Sequence, residues 1–226
     1  MDLEGLTTAH LADGCLRLGV PVRCGPAGLR PLVPGTAFAG PAAAVVHLGS
    51  VDRLLEAIDG AAPGDVLVVD DEGRTDEACI GDLVALDAAA ARLAGVVVWG
   101  LHRDTADLVA IGLPLVSLGA IPTGPLPGTI RAVRDSASVG EWPVAPGDLV
   151  AADDDGVVLV PAADAEAVVA AARGIRRTER AQADRIRAGE TLRDQVRFAE
   201  YLARRSADPA YTFRAHLRQV GGEVEV

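Results

Sequence analysis

Two short segments carry residue types that could do chemistry. They are Gly81-Asp82-Leu83-Val84 and Gly100-Leu101-His102-Arg103-Asp104. Arg103 offers a planar fork that matches a carboxylate in bidentate fashion. Asp104 beside it is a hard oxygen ligand suited to Mg²⁺ or Mn²⁺. A helix beginning near Gly81 would present backbone N–H groups to a carboxylate or phosphate, and a glycine there lets an anion approach closely. Asp82 would repel that anion. It fits if a cation is bound as well, or it simply favours the positive end of the helix dipole. Taken alone, Arg103 and Asp104 also describe a surface ion pair. Strand alternation points His102 away from Arg103, as a neighbour rather than an actor.

Composition narrows the chemistry. The 226 residues include 21 basic ones, all arginine, and no lysine. Schiff-base aldolases, pyridoxal-phosphate enzymes and P-loop nucleotide hydrolases are excluded, because each needs a lysine at the chemistry. The formal net charge of −11 argues against a nucleic-acid binder held by phosphate contacts. No G-x-G-x-x-G follows a strand and opens a helix, so this is no dinucleotide fold, and a reading as an S-adenosylmethionine methyltransferase is weakened. Cys15, Cys24 and Cys79 form no C-x-x-C pair. Neither a disulfide framework nor a structural zinc site is expected, and a reducing cytoplasm fits. The stretch from Val84 to Trp99 is interrupted by Asp87 and Arg92, so no membrane span is expected.

The elements that must position these segments alternate early and become strand-rich later. Thr7 or Thr8 caps a helix to Leu18, which Gly19 ends. Arg23 to Gly35 reads as loop, Thr36 to Leu48 as a strand, and Val51 to Ile58 as a helix with Leu54, Leu55 and Ile58 inward. Strands are expected at Val66 to Val69, Gly95 to Trp99 and Leu115 to Leu118, with helices at Asp76 to Leu93 and Thr105 to Ile111. Ile121 to Gly128 reads as loop, and strands dominate to Val160. A long helix spans Ala163 to Ala188, broken near Gly174. Pro63-Gly64-Asp65-Val66 through Gly73 is echoed by Pro146-Gly147-Asp148-Leu149 through Gly156. Each copy is turn, apolar strand and acidic turn, as in two similar hairpin strands of one sheet system. Asp153-Asp154-Asp155 reads as a turn-capping run rather than a metal cluster. With 50% hydrophobic and only 3% aromatic residues, the core is built from Ala, Val, Leu and Ile. The whole predicts a layered α/β domain.

Together the two segments resemble the regulator-of-ribonuclease-activity-A-like family, which includes 4-hydroxy-4-methyl-2-oxoglutarate aldolases. The carriers are Pro63-Gly64-Asp65, Gly81-Asp82-Leu83, Gly95 through Gly100, Arg103-Asp104, and Pro146-Gly147-Asp148 with Asp153 to Val157. The resemblance runs from about Thr8 to Leu192. It implies a swivelling β/β/α domain over residues 1–190 and a C-terminal helical extension over 191–226. It also implies a metal-dependent pyruvate aldolase, with oxaloacetate decarboxylation at the same site. The alternatives are a related lyase or hydrolase on another oxo acid, or a non-catalytic regulator of a ribonuclease. Gly81, Asp82, Leu83 and Val84 would offer amides to the pyruvoyl group, Arg103 would bind substrate, and Asp104 would hold Mg²⁺ or Mn²⁺. Asp82 would help hold water on the metal, and a glutamate from a neighbouring subunit, Glu179 by position, would complete the site. Glu179 could instead pair with Arg176 or Arg180. The resemblance implies trimers or pairs of trimers. Trp99 stands where the family commonly has an Asp, and His102 replaces a small apolar residue. In the extension, Leu192, Val196, Ala199 and Leu202 make a helical stripe, and four of the seven aromatics gather there. That helix either closes its own core or docks on a neighbouring subunit.

Overall fold

The structure, a computed structural model, describes residue 3 and residues 5–125 and 136–221. Residues 126–128 of the expected loop and 222–226 of the extension lie outside the described residues. In chain order the elements are α1 (Thr8–Leu18), β1 (Arg23–Cys24), β2 (Arg30–Pro31), β3 (Phe38–Val46), α2 (Asp52–Gly60), β4 (Val66–Asp70), β5 (Ala78–Ile80), α3 (Asp82–Ala90), β6 (Gly95–Trp99), β7 (Leu101–His102), α4 (Thr105–Ile111), β8 (Leu115–Ser117), β9 (Ala137–Val139), β10 (Trp142–Val144), β11 (Leu149–Asp153), β12 (Gly156–Val160), α5 (Ala165–Arg187), α6 (Leu192–Gln195), α7 (Phe198–Ala207) and α8 (Phe213–Val220).

Eight strands form one mixed sheet in the order β1-β12-β11-β3-β4-β6-β8-β2. The middle pairs β3–β4, β4–β6 and β6–β8 are parallel, and β11, β12 and β1 extend it antiparallel. Period-two alternation sends one strand's residues into two cores. Val66, Val68, Val97 and Val116 face inward, against Val150, Val157 and Leu159 from the antiparallel half of the same sheet. The sheet therefore curls onto itself. Leu67, Val69, Val96 and Val98 face outward, under α2, α3 and α4. On the antiparallel half, Leu149, Ala151, Val158 and Val160 are covered by α1 and α5. Each fully buried Val or Leu contributes roughly 1.5–3 kcal/mol, and strands such as β4, buried along their whole length, carry most of that. The result is a layered β/β/α domain.

The two echoed segments become β4 and β11, which flank β3 on either side. Their turns match in detail. Gly64 and Gly147 both have positive φ, and Asp65 and Asp148 each accept from the backbone N–H three residues back. The copies diverge afterwards. β11 turns back into the β12 hairpin, whereas β4 runs into a buried acidic turn that leads to β5 rather than to a hairpin partner. There Asp70 accepts hydrogen bonds from Ser138 N, Ser138 Oγ and Glu72 N. Asp153 and Asp154 spend their carboxylates on backbone N–H groups of Thr8, Asp155 and Gly35.

Several local expectations change. The helix expected over Asp76–Leu93 is split: Ala78–Ile80 is the strand β5, paired with β7, and the helix starts after Gly81. The loop before Gly35 contains the short strands β1 and β2, which finish the two edges of the sheet. Leu55 is exposed while Leu54 and Ile58 are buried, because a helix of this length has one buried stripe. α5 runs unbroken through Gly174; the cost of about 1 kcal/mol for an interior glycine is offset by packing of its neighbours against α1. The expected single helix of the extension is two: Arg197, at φ 48°, separates α6 from α7, so Leu192 does not share a helix with Ala199 and Leu202; Val196 is buried and the other three are exposed. The aromatics instead pack on one another, with Tyr201 among Phe198, Tyr211, Phe213 and His216. This group is tied back to its own chain where Gln195 Nε2 donates to Gln182 O at 3.2 Å.

Candidate active site

The two chemical segments meet at the carboxyl ends of β5 and β7, where ligand sites of open α/β sheets gather. The backbone makes the junction, because Arg103 N donates to Ile80 O at 3.0 Å. Gly81 is the N-cap of α3, with φ −141° and ψ −167°. A Cβ there would stand 2.5 Å from Asp104 Oδ2 and 3.2 Å from Arg103 Nε. Only glycine leaves room for both side chains.

Asp104 is the unusual residue. It sits in the left-handed region at φ 60° and ψ 39°, at the N-cap of α4, yet its side chain makes no capping hydrogen bond. Asp is one of the few residues that visits this region at low cost. Its carboxylate turns away from its own helix, to 3.4 Å from Arg103 Nε and 3.5 Å from Asp82 N. Asp82 begins α3, and its Oδ1 accepts from Leu83 N at 2.8 Å. Leu83 is exposed and Val84 buried. The Arg103 guanidinium passes close over Gly124. Gly81, Asp82, Leu83, Val84 and Arg103 line a cleft of about 240 Å³, and the Asp104 carboxylate lies against Gly81 and Arg103. One carboxylate, one guanidinium and a helix's first turn thus line one small volume, with the Asp104 carboxylate packed against the same residues. That set can hold a hard cation and an anionic ligand side by side.

Residues 8–159, more than half of the chain, match the profile of the RraA-like family, described as Aldolase/RraA. The chain belongs to the RraA-like family. A relative from Halalkalibacterium halodurans bears the name "Putative 4-hydroxy-4-methyl-2-oxoglutarate aldolase"; it is 34% identical over 147 residues, which are 64% of this chain and 70% of that one. An uncharacterized protein from Pseudomonas syringae pv. tomato superposes with a TM-score of 0.72 at 32% identity, covering 84% of this chain and 92% of that one. Streptomyces coelicolor RraAS2, titled an unusual member of the RNase ES inhibitor RraA protein family, superposes with a TM-score of 0.68 at 30% identity, covering 77% and 90%. Among the described residues of this RraA-like chain, no helix is long and apolar enough to cross a membrane.

One expected neighbour and one expected participant lie elsewhere. Trp99 shares the inner face with Val97, and its ring covers Gly73. It is on the opposite side of the sheet from α3 and α4, so it does not line the cleft. Glu179 is on α5, behind the antiparallel half. It pairs with neither Arg176 nor Arg180; its Oε2 is 2.9 Å from His10 Nε2. Within one protomer, Glu179 is not brought to Arg103 and Asp104.

His102 is buried and braces the turn beneath them. Its Nδ1 meets Ser117 Oγ at 2.8 Å and its Nε2 meets Thr105 Oγ1 at 3.2 Å. Burial pushes the His102 imidazole below its ordinary value. The unfolded chain therefore takes up this proton at higher pH than the folded one. Stability from neutral His102 is present above about pH 6.5 and is lost as the pH falls through the folded pKa. In urea melts, wild type is expected to lose more stability than His102→Gln between about pH 7.5 and pH 5.5. Parallel curves for the two proteins would rule this out.

Proposed function

We propose that this chain is a divalent-metal-dependent lyase that cleaves a 4-hydroxy-2-oxo acid, such as 4-hydroxy-4-methyl-2-oxoglutarate, to pyruvate. The observation that carries the reading is Asp104, held in a left-handed conformation with its carboxylate off its own helix and facing Gly81, Asp82 and Arg103. The donor set fits Mg²⁺ or Mn²⁺, which take one or two carboxylates and keep several waters. Asp104 would hold the ion and Asp82 would help hold water on it; when bound, the ion supplies Lewis-acid stabilisation of negative charge on the 2-oxo oxygen.

The chain's own residues do the rest. Arg103 clamps the substrate carboxylate, and the first-turn amides of α3 add fixed positive potential. In the cleavage, the 4-hydroxyl gives up its proton and the C3–C4 bond breaks. Its electron pair moves toward C3 and the 2-oxo oxygen, and C3 then takes a proton. Asp82 would relay those protons. Oxaloacetate would lose CO₂ by breaking the corresponding bond in the same clamp. The name carried by the H. halodurans relative supports this reading. Pyruvate release from 4-hydroxy-4-methyl-2-oxoglutarate and from oxaloacetate, with Mg²⁺ or Mn²⁺ supplied, is the test. A folded protein that releases pyruvate from neither would sink the proposal, and would favour the ribonuclease-inhibitor reading that goes with the likeness to RraAS2.

The proposal extends to assembly as a trimer or a pair of trimers, with Glu179 of one subunit reaching the cleft of the next. Two features support it. Leu83, Leu86 and Val109 are exposed apolar residues on α3 and α4, beside the cleft. Glu179 also lies on the other side of its own protomer, where a ring of like subunits brings unlike faces together. Inactive Glu179→Gln and Asp104→Asn subunits, mixed equally and reassembled, are expected to recover about a quarter of wild-type activity, since about a quarter of the boundaries in a random ring receive both intact residues. No recovery despite proven subunit exchange would refute the shared site.

A further inference from the structure

We propose that His47, Asp71 and Cys79 form a second metal site, for Zn²⁺, buried directly behind the cleft and independent of the Asp104 chemistry. Their ligand atoms lie within 4.8 Å of one another. Zinc bonds of about 2.0–2.3 Å in a tetrahedron put ligand atoms about 3.3–3.8 Å apart, so side-chain adjustments on the order of an ångström bring these three to three of its four corners. His47 Nδ1 already stands 2.9 Å from Asp71 Oδ1. The set mixes thiolate, imidazole and carboxylate. That softness selects zinc over Mg²⁺ or Ca²⁺.

Position and charge both favour an ion here. The three residues are 1%, 0% and 1% exposed. They sit at the ends of three neighbouring segments: His47 just past β3, Asp71 just past β4, and Cys79 within β5. The backbone fixes each one. His47 N donates to Asp70 O, Asp71 N donates to Trp99 O, and Ala78 N donates to Thr123 O. Gly100 lets Asp71 lie against the β6–β7 turn, since a Cβ there would stand 2.8 Å from Asp71 Cβ. Asp70, the adjacent carboxylate, is committed to Ser138 and Glu72 and is not a ligand. A dication with one thiolate, one carboxylate and one neutral imidazole is a neutral group, which suits a dry interior. Loading sends the Cys79 thiol proton to solvent and replaces the hydrogen bond between His47 and Asp71. A site this enclosed fills as the chain folds. The ion would pin β3, β4 and β5 together behind Gly81, and Cys79 itself backs the cleft.

The experiment uses the full chain, expressed with added zinc or refolded with Co²⁺, and reads metal rather than turnover. We expect one zinc per chain to survive desalting into Mg²⁺ buffer, and the cobalt form to show thiolate-to-cobalt absorption. Cys79→Ser should lose the band, and its retained zinc should fall by more than about tenfold. Cys24→Ser, at an exposed thiol, should keep both. Zinc should raise the melting temperature of wild type and leave that of Cys79→Ser unchanged. No thiolate band in refolded wild type, or a band that persists in Cys79→Ser, would overturn the site.

Discussion

Asp104→Asn should cut pyruvate release by about 10³-fold or more, which corresponds to about 4 kcal/mol of transition-state stabilisation. Its melting temperature should stay at the wild-type value. Asparagine tolerates the left-handed backbone as well as aspartate does. The side chain makes no helix cap to lose. Its contact with Arg103 is between half-exposed groups at 3.4 Å, and such a pair contributes under about 1 kcal/mol. What disappears is the negative charge, and with it the hard oxygen ligand. Asp104→Ala should lose activity equally but also cost about 1–2 kcal/mol of stability, because alanine pays the left-handed penalty. Chelation of wild type should reproduce the catalytic loss, and added Mg²⁺ or Mn²⁺ should reverse it in wild type but not in Asp104→Asn. An Asp104→Asn enzyme within about tenfold of wild type would remove this residue from the metal site.

Gly81→Ala should lower turnover by about 10²-fold, the usual consequence of moving catalytic groups by about 1 Å. The backbone at Gly81 is extended, with φ −141°, and alanine adopts it without strain. The expected stability change is therefore within about 1 kcal/mol. The new methyl group would stand 2.5 Å from Asp104 Oδ2 and 3.2 Å from Arg103 Nε, so both side chains must give way together. In an Asp104→Asn background the same substitution should add little, because the two changes damage one arrangement. Full activity in Gly81→Ala would mean that the convergence of the three residues is not what the chemistry uses. Additive losses in the double variant would separate Gly81 from Asp104.

Local sequence determined the parts whose signal is local. β6 and α4 occupy the expected residues, Gly95–Trp99 and Thr105–Ile111, because a run of valines between turns and a short helix closed by glycine are set by near neighbours. The echoed Pro-Gly-Asp turns, the capped first helix and the missing lysine were legible for the same reason. Gly81-Asp82 and Arg103-Asp104 could be picked out as candidates, 22 residues apart.

Tertiary pairing decided the rest. Ala78–Ile80 is a strand only because β7 lies beside it; an Ala-Cys-Ile run next to a helix reads locally as that helix. Parallel pairing of β5 with β7 is also what brings Gly81 against Asp104. Glu179 reads from its neighbours as one partner in a row of arginines, and the packing of α1 on α5 gives it to His10. Absence of a C-x-x-C pair argued against zinc, since spacing signatures detect ligands that share one turn. His47, Asp71 and Cys79 share none. They meet because β3 and β4 run parallel in register and β5 follows close behind, so segment ends far apart in the chain face one buried point.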